Sequence, residues 1–187
     1  LADNGYAPGD IKISLGIVAG FGMEILSAAV LQEDLAAIGI ELEVVPATWA
    51  VLSSSMTSQD SMWDMGALLI NAKTPYAGNY LHQLGHSAAA GGNWNWSYYE
   101  NPEYDKLLAE AAQSTDPAVR DDRHTKANQL IIEDAVHLCL FGTQNIIGTT
   151  AALQGYVFPS FTWSRVFDVY YYSLEAVYYT HLRAHET

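Results

Sequence analysis

Apolar and polar residues alternate from Ile11 to Ile17 (Ile-Lys-Ile-Ser-Leu-Gly-Ile), the two-residue period of a strand with one buried face. The period then changes. Ala28, Leu31, Leu35 and Ile38 recur at helical spacing between Met23 and Ile38, while Gln32, Glu33 and Asp34 fall on another face. Gly39 is placed to end that helix in a left-handed conformation. Ile40 to Val45 reads as a second strand closed by Pro46, and a strand, helix, strand run of this kind sets its strands parallel through a right-handed crossover.

Thr48 to Met56 predicts a short helix, Ser53 to Gln59 a loop or a fraying helix end, and Trp63 to Ile70 a third strand. From Asn71 to Ser97 the periodicity fades, and the residues are Gly, Ala, Asn and aromatics; a loop of that length within a compact domain is usually functional. Order returns at Asn101, a cap for a helix whose first turn holds Pro102 and whose apolar stripe is Tyr104, Leu107, Leu108 and Ala111. Asp116-Pro117 repeats the start signal for a helix to about Asp134, with Ala127, Leu130 and Ile131 inward. His137 to Phe141 and Ile146 to Thr150 read as two further short strands. The sum is an α/β layer structure in which strands alternate with covering helices, without internal repeats.

Of the 187 residues, 50% are hydrophobic and 16% charged, enough apolar surface for a core. The formal net charge of -13 has the wrong sign for nucleic acid or an anionic membrane surface. No apolar run approaches the roughly 18 residues of a membrane helix. The single cysteine, Cys139, lies between Leu138 and Leu140 and is expected to be a buried bystander thiol. The chain begins at Leu1 with no basic-then-apolar leader after it, which reads as an internal piece of something longer. Its last residues, Tyr179 to Thr187, break the preceding character and resemble a translated sequencing adapter. Residues 179–187 are therefore expected to be a non-native tail.

Candidate chemistry is sparse. Gly20-Phe21-Gly22 falls between a strand and a helix, where a dinucleotide loop would lie, but Ile25 holds the third glycine position and the second strand ends without a carboxylate for a ribose. His82 and His86 are four apart, a metal-ligand spacing, yet Gly85 interrupts the helix that would align them. His124 is expected on an exposed helix face and His137 as a hydrogen-bonded core histidine. The pairs Glu33/Asp34, Asp121/Asp122 and Glu133/Asp134 sit on polar helix faces, and no serine stands in a nucleophile elbow. Neither an enzyme nor a cofactor is indicated. Trp94, Trp96, Tyr98 and Tyr99, with Tyr76 and Tyr80 before them, crowd the loop; they either stack on a ligand or pack beneath a partner domain.

Several segments together resemble a known family. Leu35 to Glu43, Trp49, Trp63-Asp64-Met65, the run Asn95 to Leu108 with its Asn-Pro-Glu-Tyr-Asp core, Glu133-Asp134-Ala135 and Gly155-Tyr156-Val157 look like the C-terminal lobe of family 5 extracytoplasmic solute-binding proteins. These are the dipeptide-, oligopeptide- and nickel-type receptors of ABC importers. The resemblance spans Gly5 to Ala176 and implies a periplasmic-binding-protein-like type II lobe over residues 1–178. It implies capture of a small-molecule or peptide solute against an N-terminal lobe, docking on a permease, and no catalysis. It also implies a place in the periplasm or at the outer face of the membrane, with or without a lipid anchor. Cleft-facing candidates are Phe21, Tyr76, Trp94 and Trp96 as apolar walls, and Lys73, Thr74 and Asn79 for orientation. Peptide-binding relatives carry a tryptophan and an amine-pairing aspartate where Ile70 and Lys73 stand here. Lys73 either favours a carboxylate, phosphate or neutral solute or points into water. The rival from another class is a nucleotide-dependent α/β enzyme domain using the Gly20/Gly22 turn.

Overall fold

The structure is a computed structural model and describes residues 2–70, 76–92, 94–142, 148–150, 152–154 and 173–174. Residues 179–187 and Ile146 lie outside that set. After a 3-10 turn at Ala2–Asn4, strand β1 (Ile11–Val18) leads into α1 (Gly22–Ala37) and returns as β2 (Ile40–Ala47). The two strands are parallel, with Ile11 opposite Ile40 and Val18 opposite Ala47. Gly39, at φ 85°, takes the left-handed conformation that ends α1. Ala28 is buried and Leu31 and Leu35 pack with Leu15, Ile17 and Leu42 into one core, whereas Ile38, read as inward, is 59% exposed just past the helix end.

Pro46 does not close β2. The strand continues to Ala47 with Pro46 opposite Ile17, because β2 lies at the edge of the order β2-β1-β3 and an edge position needs no amide from proline. Thr48 caps α2 (Trp49–Met56), so the helix absorbs the first part of the expected Ser53 to Gln59 loop. The third strand is shorter than its apolar run. β3 is Met65–Gly66, parallel to β1, followed by one more bond from Ala67 N–H to the Gly16 carbonyl. Leu68 then packs with Leu52, Met56, Trp63 and Trp96, and Ile70 with a second, helical core. The run is apolar because it bridges two cores, not because it is a ladder.

The long loop also holds an unexpected element. α3 (Ala77–Gly85) is followed by a 3-10 turn at Ser87–Ala89. It packs on α4 (Pro102–Gln113) and α5 (Pro117–Glu133). Tyr104, Leu107, Leu108, Ala127 and Ile131 are buried there with Leu81 and Leu84. The Tyr104 hydroxyl donates to the Leu81 carbonyl at 2.7 Å. His124, expected in water, is 8% exposed because α3 covers it: the Tyr76 ring meets it edge-on with centroids 5.3 Å apart.

The span 137–141 is not a strand, and neither is 148–150. Among the described residues none pairs with it as a ladder partner, and Leu138 and Phe141 are 69% and 56% exposed. Cys139 is exposed with them, contrary to expectation. His137 is half-buried and its Nε2 lies 3.1 Å from the Leu84 carbonyl. A separate antiparallel pair, β4 (Leu153–Gln154) and β5 (Ser173–Leu174), completes the described elements. No described helix is long and apolar enough to cross a membrane.

Candidate functional site

Three parallel strands end at one edge of the sheet, and the segments leaving them converge there, as in open α/β sheets that bind ligands beyond their carboxyl ends. Val18 closes β1, Phe21 precedes α1 and Glu24 lies in its first turn, Trp49 begins α2, Leu68 and Leu69 come after β3, and Trp94 reaches in from the loop before α4. Together these seven residues line a cavity of about 240 Å³. Its rim is bare: Phe21 is 51% and Trp49 45% exposed.

The rings are held by their neighbours. Trp49, Trp94 and Trp96 form a mutual cluster with centroids 6.0, 6.0 and 5.8 Å apart, all tilted. Asn95, fully buried between two of them, donates from Nδ2 to the carbonyls of His86 and Tyr99 and accepts the Tyr99 N–H on Oδ1. A buried amide whose bonds are met in this way fixes the loop. Tyr98 sits at φ 55° with its hydroxyl donating to the Thr57 carbonyl at 2.6 Å. Opposite it, Gly91 leaves room that a Cβ would take, 2.6 Å from the Tyr98 hydroxyl oxygen. The Trp96 Nε1 is buried without a hydrogen-bond partner among the described residues.

Among the described residues, Glu24 is the one ionisable side chain in the cavity wall. It is 8% exposed, and its Oε2 accepts the Val18 N–H at 2.7 Å. Burial raises its pKa above the ordinary glutamate value, and the Val18 bond offsets part of that rise. A glutamate in the first turn of a helix ordinarily reads as a capping group, so the sequence carries no sign that it faces a cavity. Asn95 is equally hidden, since one asparagine among several in a polar loop has no pattern.

Of the residues singled out from the sequence, Phe21 and Trp94 are in the cavity wall, and Trp96 packs tilted against Trp94 behind it. Tyr76 lies at the start of α3 against His124, and Asn79 is exposed on α3. Lys73 and Thr74 lie outside the described residues.

Two other constellations take definite form. His82 lies in α3 and His86 comes directly after that helix; their rings stack with centroids 4.3 Å apart. Burial and the His86 ring lower the His82 pKa, against a smaller opposing pull from Asp105. His86 Nδ1 accepts the Ala88 N–H at 3.0 Å and lies 3.5 Å from the Asp105 carboxylate. No group of three or more metal-ligating side chains occurs among the described residues. At the Gly20/Gly22 turn, the Glu24 carboxylate stands in the first turn of α1 and bonds back to the Val18 amide, which puts a negative charge where a pyrophosphate would have to sit. The geometry disfavours a nucleotide there.

No family model matches the chain. Over 130 residues it is 28% identical to the oligopeptide-binding protein AppA of Bacillus subtilis, covering 69% of this chain and 23% of AppA. The solved AppA structure, in complex with a nonapeptide, superposes at TM-score 0.55 with 25% identity over 67% of this chain and 24% of AppA. A probable D,D-dipeptide-binding periplasmic protein of Escherichia coli, DdpA, is 36% identical over 64 residues, 34% of this chain and 12% of that protein. HbpA2 of Haemophilus parasuis superposes at TM-score 0.72 over 94% of this chain and 34% of its own, at 21% identity, a likeness of fold. The chain thus spans under a quarter of AppA. The resemblance to family 5 solute-binding proteins stands on sequence and on fold, and the mixed helix and parallel sheet is their type II arrangement.

Proposed function

We propose that this chain forms one wall of the solute-binding cleft of an extracytoplasmic receptor serving an ABC importer, and that it captures solute without performing chemistry on it. The observation that carries this reading is the open, ring-lined cavity at the carboxyl edge of the parallel sheet, whose described wall residues include one carboxylate and no nucleophile. A solute trap needs apolar walls with few polar groups, and closure against an opposing lobe buries what it holds. The relatives point the same way: AppA and DdpA are binding proteins by name, for oligopeptides and D,D-dipeptides. On this reading Phe21, Trp94 and Trp96 form the apolar wall, Lys73, Thr74 and Asn79 orient a small-molecule or peptide solute, and a membrane permease receives it.

The test is to recover the full reading frame around these residues, purify the product, and search by native mass spectrometry for a solute that leaves on unfolding. A co-purified solute that is lost in a Phe21→Ala/Trp94→Ala variant supports the reading. A product that carries no solute and takes none from a panel of peptides and small polar molecules overturns it.

A further inference from the structure

We propose that the cavity is a cation subsite, in which Glu24 supplies the counter-charge and Phe21, Trp49 and Trp94 supply ring faces for one ammonium or guanidinium group of the solute. This rests on the solute-capture reading and names the chemistry of one part of it. Burying a carboxylate is costly unless a cation or several donors meet it. Glu24 has one such donor, the Val18 amide on Oε2; its other oxygen has no partner among the described residues.

The described cations are engaged elsewhere. Lys12 pairs with Glu41, Lys106 with Glu103, Arg123 with Glu110 and Lys126 with Asp122, while Arg120 donates to the Ser114 carbonyl. The described wall is otherwise aromatic and aliphatic, and tryptophan faces are the best cation partners among aromatic side chains. Trp49 and Trp94, tilted 52° to each other, form two sides of that enclosure. The Val18 bond holds the carboxylate in place before a ligand arrives, so little order is lost on binding. A cavity of about 240 Å³ has room for roughly eight waters, the size of one amine-bearing side chain rather than of a peptide. If Glu24 served only to tie α1 to β1, the cavity would be indifferent to ligand charge.

The experiment titrates the 187-residue chain with n-pentylammonium, its neutral counterpart 1-pentanol and the anion pentanoate, read by tryptophan fluorescence and indole NMR shifts. Pentylammonium is expected to bind at least ~10-fold tighter than pentanol, and pentanoate weakest, the scale of one charge-assisted hydrogen bond. Glu24→Gln keeps an acceptor for the Val18 amide and is expected to bring pentylammonium within ~2-fold of pentanol, as the charge-assisted bond is lost. Equal affinity for the cation and the neutral probe in the wild type overturns the cation subsite, and needs no variant that folds. So does a cation preference that survives Glu24→Gln. Pentanol binding without charge preference leaves solute capture standing; failure of all three probes to reach the tryptophans counts against both.

Discussion

The cluster of α3, α4 and α5 and the cavity at the sheet edge are built from similar residues but satisfy them differently. In the helical cluster the largest buried side chain, Tyr104, fills its site and its hydroxyl is bonded to Leu81. Tyr99 packs edge-on against Tyr104, and its own hydroxyl, donating to Asp134, has a pKa pushed up to about 12, chiefly by burial and then by that carboxylate. His124 Nε2 is the exception, a buried nitrogen without a partner among the described residues. At the sheet edge the exception is the rule: Glu24 is half satisfied, Trp96 Nε1 has no partner among the described residues, and Phe21 and Trp49 lie open. One region is closed by its own contacts. The other is arranged for contacts it does not make with itself.

If that contrast is right, the largest stability losses belong to the helical cluster. Tyr104→Ala removes a fully buried ring and leaves the Leu81 carbonyl without its donor. The expected loss is about 3–5 kcal/mol in urea unfolding, enough to abolish folding of a marginal chain. A loss below about 1 kcal/mol would mean the cluster is not the stabilising half.

The sheet has one position of comparable sensitivity, away from the cavity. A Cβ on Gly16 would lie 2.7 Å from the Trp63 ring and 2.8 Å from Leu52. Gly16→Ala should therefore cost about 1–3 kcal/mol as those side chains are displaced, read by the same unfolding curves. Next comes Asn101→Ala. Its Oδ1 accepts the amides of Glu103 and Tyr104, and its Nδ2 donates to Asp134. Loss of the cap should lower stability by about 1 kcal/mol, and hydrogen exchange should rise first at the start of α4.

The residues behind these three effects differ in how far the sequence announces them. The cap at Asn101 and the stripe from Tyr104 to Ala111 are local patterns, and β1, α1 and β2 are dictated by periodicity and by Gly39. Each depends on neighbours within a few positions. What the sequence does not announce depends on distant partners. Trp63 to Ile70 has the composition of a strand, yet only Met65–Gly66 has a neighbour to pair with. His124 looks exposed until α3, itself hidden in a Gly- and Ala-rich stretch, is laid over it. At the candidate site, Phe21, Trp94 and Trp96 are legible as large rings in loops. Glu24 is not, since whether a first-turn glutamate faces water or a cavity is decided by Trp49 and Leu69, 25 and 45 positions away.

The smallest expected effect is the most informative, because its sign differs from the rest. The folded-state pKa of Glu24 is raised, with burial as the larger cause. Such a group adds stability below the ordinary glutamate range and loses that contribution as pH rises through its raised pKa. Near pH 7 the ionised carboxylate sits where water would serve it better, and Glu24→Gln removes that charge while keeping an acceptor for Val18. The variant should unfold at a slightly higher temperature than the wild type near pH 7, and the gap should close as pH falls to about 3, where glutamate is protonated in both states. Removing any negative charge from a chain of net charge -13 relieves some repulsion, so Glu33→Gln, exposed on the same helix, sets the background to subtract. A gain beyond that background marks a carboxylate held at a cost in the empty protein, as a waiting counter-charge would be. A loss at neutral pH would instead make the Val18 bond the reason Glu24 is there, and the sheet edge would then be as self-satisfied as the helices.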